Sequence, residues 1–198
     1  MNGKQEANSI LIDRIKNLID EIYIINELFV AYESLYNKRA HDLDVINWTP
    51  GLYQLTLYAF INQFVVMLSR MYDRNRDANS LYKLFAYIDS NMNNFGNSMQ
   101  EIKKAVSEAK CILDEMENLA DKLKKLRDVC LAHNDLEFIR SDAWTKYSPT
   151  VGEYRSLVTN AHEVICLLGN LMKIPTPMLG LGVKKEIDYL ATILKKRI

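Results

Sequence analysis

Residues 11–36 of the chain read LIDRIKNLIDEIYIINELFVAYESLY. Apolar side chains recur there at alternating steps of four and three residues: Leu11, Ile15, Leu18, Ile22, Ile25, Phe29, Tyr32 and Tyr36. Such a stripe remains on one face of an α-helix over many turns. The sequence therefore predicts a long first helix, from about residue 8 to residue 40.

The second helical segment is apolar on nearly every side. Pro50 follows Thr49, an order typical of a helix start. From residue 52 to residue 72 apolar side chains occur nearly all round the helix, and a helix without a polar face belongs in the middle of a bundle. A shorter helix is predicted over residues 80–91.

Two capping boxes open the later helices, Ser98-Met99-Gln100-Glu101 and Thr150-Val151-Gly152-Glu153. In a capping box the Ser or Thr side chain and the Glu side chain each accept a backbone N–H at the first turn. The helix that begins at residue 98 is predicted to run unbroken to about residue 132. The helix that begins at residue 150 is predicted to run to about residue 173.

No stretch of convincing strand pattern separates these helices. We therefore predict an all-α bundle of four main helices with one or two short extra helices. Residues 1–198 are predicted to form one helical domain, in which residues 174–183 link to a short C-terminal helix over about 184–196.

Composition limits the possible partners and location. The formal net charge is zero, which argues against a sequence-blind nucleic-acid binder. Three cysteines, Cys111, Cys130 and Cys166, lie far apart among apolar neighbours, and we expect them to be reduced and buried. No signal-type or membrane-spanning stretch is expected, so the predicted location is the cytoplasm, with no membrane partner.

One stretch carries most of the chemistry. Arg127 and Asp128 end a helical segment, and His133 follows just before Asn134. Arginine binds phosphate as a planar fork, and histidine transfers protons near neutral pH. We predict Arg127, Asp128 and His133 as catalytic residues acting on a phosphodiester. Phosphate or RNA binding is predicted for Asn134 and for two neighbouring cations, Lys124 and Lys125.

The pattern has alternatives. Arg127 could simply pair with Asp128 or Asp135, and His133 could cap a helix. Arg155 and His162 form a second pair, which we interpret as a surface or packing feature of one helix. Without a metalloprotease motif or a glycine-rich phosphate loop, we expect no metal site and no cofactor.

These residues resemble a known family. Arg127-Asp128 with His133 is similar to the signature of the HEPN superfamily, in which a polar residue follows the arginine and the histidine lies a few residues on. Segments 64–73, 79–81, 126–128 and 132–135 resemble the HEPN branch named for type-U abortive infection of phage. The resemblance covers about residues 45 to 136.

The resemblance implies a metal-independent endoribonuclease, a toxin or antiviral effector, that works as a homodimer with the two Arg/His motifs meeting at the interface. His133 would act as general base or acid, Arg127 would stabilise the charged phosphorane, and Asp128 would orient one of them. Any antitoxin would be a separate protein. A selective RNA substrate, such as a structured loop of transfer RNA, fits the neutral charge better than general RNA does.

A second function stays open from the sequence alone. The chain could be a non-catalytic HEPN-like helical bundle that dimerises and binds a partner protein or a nucleotide. The two functions differ in what removal of the His133 imidazole would do, since a catalytic group affects activity and a packing group affects stability.

Overall fold

The computed structural model describes residues 3–41, 47, 49–75, 79–95, 99–129 and 143–196, with side chains omitted at positions 4, 39–41 and 143. The described residues form eight α-helices and one 3-10 helix and include no strand, so the predicted all-α fold is confirmed. In chain order they are α1 (Gly3–His41), α2 (Pro50–Met71), α3 (Leu81–Asn91), the 3-10 helix (Met92–Asn94), α4 (Met99–Glu115), α5 (Glu117–Arg127), α6 (Ala143–Tyr147), α7 (Val151–Leu171) and α8 (Gly182–Lys195).

The first helix forms the axis of the bundle. Its predicted stripe is buried from Leu11 to Phe29, whereas Tyr36, at the end of the stripe, is exposed. The rings of Phe29 and Phe64 stack with centroids 5.1 Å apart, and the Phe64 ring meets the edge of Tyr154 at 5.2 Å. These contacts join α1, α2 and α7 in one core. The helix begins at Gly3, earlier than predicted.

The prediction for α2 is wrong in its first half. Phe64, Val65 and Leu68 are fully buried, as expected of a central helix. Leu52 and Leu55, however, are 64% and 71% exposed. Since the sequence has no polar face there, only the tertiary arrangement shows which side is left uncovered. Of the described helices, α2 alone is long and apolar enough to cross a membrane, but its second half packs in the protein core.

The predicted helix from the first capping box is not continuous. It breaks at Met116, whose N–H donates to Leu113 O (3.0 Å) in a tight i to i−3 bond. Ala120 N–H then donates to Met116 O (2.8 Å) and starts α5. The tight turn changes the helical phase between α4 and α5, yet Leu113 and Leu123 both remain buried. Ser98 lies outside the described residues.

The second capping box forms as predicted. Glu153 N–H donates to the Thr150 hydroxyl (3.2 Å), and Thr150 N–H donates to a Glu153 carboxylate oxygen (2.6 Å). The segment between α7 and α8 then follows α1, where Tyr23 and Asn26 donate to the carbonyls of Met178 (2.6 Å) and Gly180 (2.9 Å). This segment and α8 occupy the region that the sequence predicted as a linker and a last helix.

The burial predicted for the cysteines is wrong for those that the structure describes. Both are free thiols, but Cys111 is exposed and Cys166 is partly exposed. Cys111 lies two residues before the buried Leu113, so it projects from the opposite side of α4. Cys130 lies outside the described residues.

Candidate functional site

The candidate site is built at the end of α5. Leu123 and Leu126 are fully buried and fix this helix against the core. Arg127 is the last residue of α5, and the backbone then widens into a π-type turn at Asp128 and Val129. With its side chain 20% exposed, Arg127 lies at the edge of the buried face.

Two carboxylates hold the Arg127 guanidinium. Arg127 Nε donates to Asp128 Oδ1 (2.8 Å), and Arg127 Nη2 lies 2.7 Å from the same oxygen. On the other side, Arg127 Nη1 donates to Asp73 Oδ2 (3.1 Å). A guanidinium has five N–H donors in a rigid fork. The contacts with described residues therefore leave donors on Nη1 and Nη2 for a further acceptor.

Asp73 is the buried member of this group, with a side chain only 9% exposed. Its other carboxylate oxygen, Oδ1, accepts from Asn75 N–H at 2.9 Å. Desolvation alone would raise the Asp73 pKa, but the Asn75 hydrogen bond and the Arg127 guanidinium outweigh it and lower that pKa. For Arg127, desolvation would lower the pKa, and the hydrogen bonds to Asp128 and Asp73 outweigh it and raise it. Both groups are therefore charged near neutral pH.

Two exposed cations lie beside this group. Lys124 and Lys125 are in the last turn of α5, where positive charge interacts favourably with the carbonyl end of the helix. The Lys124 charge also contributes to lowering the Asp73 pKa. The described end of α5 thus carries three cations, Lys124, Lys125 and Arg127, against the two carboxylates that pair with Arg127.

Of the predicted site residues, the structure describes Arg127, Asp128, Lys124 and Lys125 and brings them together. His133 and Asn134 lie outside the described residues, and so does Asp135. The roles predicted for them stay predictions.

Asp73 is a member of the group that sequence reasoning did not assign. It comes 54 residues before Arg127, at the point where α2 ends. One signal was available in the sequence. Apolar residues recur at helical spacing up to Leu123, and Arg127 takes the next position of that series, so its charge needs a partner from another element.

The second Arg/His pair has different contacts. Arg155, in α7, forms an ion pair with Glu33 of α1 and is 58% exposed. His162 shares a hydrogen bond of 2.9 Å with Pro177 O through Nε2. Both side chains serve to fix α7 to its neighbours, which confirms the prediction of a surface and packing feature.

Among the described residues, no group of three or more histidine, cysteine, aspartate or glutamate side chains could hold a metal ion. The expectation of metal-independent chemistry stays a prediction.

The described residues thus form a helical bundle in which an arginine and an acid are paired at a helix end. The sequence model of the HEPN AbiU2 family, described as AbiU2, matches residues 9–185. The chain therefore belongs to the HEPN AbiU2 family. The match extends beyond residues 45 to 136 and includes most of α1 and all of α7. Comparisons with curated proteins and with solved structures gave no match.

Proposed function

We propose that this protein is a metal-independent endoribonuclease that acts in abortive infection, as a toxin or antiviral effector. The observation that carries the proposal is the Arg127 guanidinium, which two carboxylates orient at a helix end with two further cations in a member of a HEPN family. Arg127 stands six positions before His133, the residue proposed to transfer protons.

The chemistry requires little from the protein. RNA carries its own nucleophile, the 2′-hydroxyl, held beside the phosphate. Attack of the 2′ oxygen on phosphorus breaks the bond to the 5′ oxygen. The 2′ proton passes to a base, and an acid protonates the leaving oxygen. His133, with an ordinary pKa near 6.5, is proposed as one of these two groups.

Arg127 is proposed to stabilise the negative charge that develops on the phosphorane oxygens. A cation that is already oriented does not need to reorganise when charge develops. The contacts with Asp73 and Asp128 provide this orientation, and the remaining Nη donors are proposed to face the phosphate. Asp128, 41% exposed, is proposed as an orienting residue, and Lys124, Lys125 and Asn134 as phosphate contacts.

The proposed working form is a cytoplasmic homodimer in which the two Arg/His motifs lie at one interface. Symmetry then doubles the catalytic groups. Any antitoxin is proposed to be a separate protein. Light scattering coupled to gel filtration tests this form: a mass twice that of the chain is expected, and a monomer that cuts RNA would contradict the composite site.

The experiment uses purified protein, total RNA and structured transfer RNA, with EDTA present throughout. Wild-type protein is expected to cut RNA, and His133→Ala is expected to abolish cutting. His162→Ala is the matched control, since His162 has a packing role at another place in the fold. The proposal fails if wild-type protein, free of any inhibitor, leaves both RNA samples intact.

A second candidate is supported by one observation. The Arg127 guanidinium is only 20% exposed and is paired with two acids, which is also how an arginine with a purely structural role is held. In this case the chain is a non-catalytic HEPN-like bundle that dimerises and binds a partner protein or a nucleotide. Overproduction separates the two: the enzyme is toxic and His133→Ala relieves toxicity, whereas the binding module is not toxic.

A further inference from the structure

A second surface of the molecule combines cations with aromatic rings. A groove of about 430 Å³ runs along α3. Its lining includes three cations and two tyrosines, which together define what is called the α3 groove: Arg14, Arg74, Tyr82, Lys83 and Tyr87. Its other lining residues are neutral, so the described part of the groove presents no carboxylate.

Each arginine lies over a tyrosine ring. The guanidinium carbon of Arg14 is 4.8 Å from the Tyr87 ring centroid. The guanidinium carbon of Arg74 is 5.1 Å from the Tyr82 ring centroid. Such stacks fix the planar cations and leave their outer faces for another flat group.

Arg14 differs from the other arginines whose side chains are described. Arg70, Arg74, Arg127 and Arg155 each pair with a carboxylate. Arg14 makes no such ion pair with a described residue, and its buried Nε finds no hydrogen-bond partner among them. A buried donor without a partner is unfavourable. Contact of the Arg14 guanidinium with a ligand would offset this cost.

Acids near the groove lie outside its lining. Glu117 Oε1 accepts from Arg74 Nη2 at 2.6 Å. Desolvation raises the Tyr87 pKa, the Arg14 charge opposes this, and a smaller contribution from Glu6 adds to the rise, so Glu6 also lies near the groove. Lys83, like Arg14, has no ion pair within the described part of the chain. The groove therefore keeps two cations, Arg14 and Lys83, that form no ion pair with a described residue.

The groove is connected with the candidate site. Arg74 follows Asp73 in the chain, and Asn75, which lines the groove, donates to the Asp73 carboxylate. Arg74 pairs with Glu117 at the start of α5, and Asp73 pairs with Arg127 at its end. The groove and the candidate site are thus adjacent, because Asn75 of the groove lining contacts Asp73 directly.

We propose that the α3 groove binds a single-stranded segment of the RNA substrate, with a base against an arginine–tyrosine stack and backbone phosphates at Arg14 and Lys83. The identity of the ligand as RNA rests on the proposed function. Proteins bind single strands in this way, through a positive groove that follows the backbone and aromatic faces on which bases stack. A duplex would keep its bases away from the tyrosines.

The test measures the binding of a short fluorescein-labelled single-stranded RNA by fluorescence anisotropy. The full-length protein carries His133→Ala, which prevents cleavage, and the double substitution Arg14→Gln, Lys83→Gln is made in this background. We expect binding to weaken by about tenfold or more, with a smaller salt dependence because phosphate contacts are lost. The control is Lys104→Gln, which removes an exposed cation of α4 that does not line the groove.

Each result decides the proposal. Weaker binding by the double variant, with unchanged binding by the control and unchanged melting temperatures, supports the groove. Equal binding by the double variant overturns it, and so does a preference of the protein for duplex RNA or for an acidic peptide. If the melting temperature falls, Lys83→Gln alone is used, because Lys83 forms no ion pair with a described residue that the substitution would break.

The two proposals can fail separately. If wild-type protein cuts RNA and the groove variants bind normally, the groove is wrong and the nuclease stands. If the groove binds RNA but wild-type protein never cuts it, the groove stands and the nuclease is wrong.

Discussion

The chain contains two arginines that precede a histidine at similar spacing, and the fold treats them differently. Arg127 ends a helix, is mostly buried, and takes carboxylates from two directions. Arg155 lies within α7, is mostly exposed, and pairs with one carboxylate on α1 while lying over the Phe29 ring at 5.9 Å. Spacing in the sequence does not distinguish these pairs. What distinguishes them is that Arg127 lies at a helix end and contacts Asp73, which a second element supplies.

The difference has a physical consequence. An exposed ion pair contributes little to stability, because water competes for both partners. A mostly buried pair is different, since removal of one partner leaves the other charge desolvated. Substitution of Arg127 is therefore expected to lower both activity and stability. Substitution of Arg155 is expected to have a much smaller effect on each.

The largest expected effect is on RNA cleavage by Arg127→Ala. Loss of an oriented cation at the developing charge is expected to slow cleavage by about 100-fold or more. Arg155→Ala should keep the wild-type rate. Gel-based initial rates with EDTA present measure both. Equal losses in the two variants would remove the distinction between the pairs.

The next effect is on stability. Arg127→Ala leaves the Asp73 carboxylate, 9% exposed, without its cation, and should lower the free energy of unfolding by about 2 kcal/mol. Arg155→Ala should lower it by less than about 1 kcal/mol. Urea denaturation followed by circular dichroism gives both values. The assignment of Asp73 as the buried partner is wrong if the two variants unfold alike.

The Asp73 pair also predicts a pH dependence. The folded pKa of Asp73 is lowered, so its stabilising effect is fully present above its unfolded pKa, near 4, and is lost as pH falls through the lower folded value. Asp73→Asn should lower the stability by about 1 kcal/mol at neutral pH. Unfolding measured between about pH 7 and about pH 3 should show this difference shrinking only below about pH 4. A difference that is constant over this range would contradict the ion pair.

The smallest effect concerns the helix that carries the second pair. Thr150→Ala removes the cap of α7 and should lower the free energy of unfolding by about 1 kcal/mol. RNA cleavage should not change, because α7 supplies no proposed catalytic group. Parallel urea and cleavage measurements check this. A large loss of cleavage at full stability would mean that α7 takes part in the site.

Local sequence signals predicted much of the fold. The stripe in α1 predicted which residues are buried from Leu11 to Phe29, and the Thr150 capping box formed both of its hydrogen bonds. The break at Met116 could not be predicted in this way, because apolar residues continue through it at helical spacing. The exposure of Cys111 was available from the helical phase alone.

The site was predictable only in part. Arg127 and Asp128 are neighbours in the chain, and their pairing was one of the alternatives that the sequence offered. Asp73 comes from another helix, and its contact with Arg127 depends on how α2 packs against α5. The exposure of Leu52 and Leu55 likewise depends on tertiary packing, since no local pattern shows which side of an apolar helix is left uncovered.

The most direct measurement compares cleavage rates of Arg127→Ala, His133→Ala and the double variant under single-turnover conditions. The guanidinium and the imidazole are proposed to act on the same phosphate. The double variant is therefore expected to be no slower than the slower single variant, because the rate losses from removing groups that act as a unit are not additive. A loss in the double variant equal to the product of the single losses, or wild-type rates in both single variants, would contradict it.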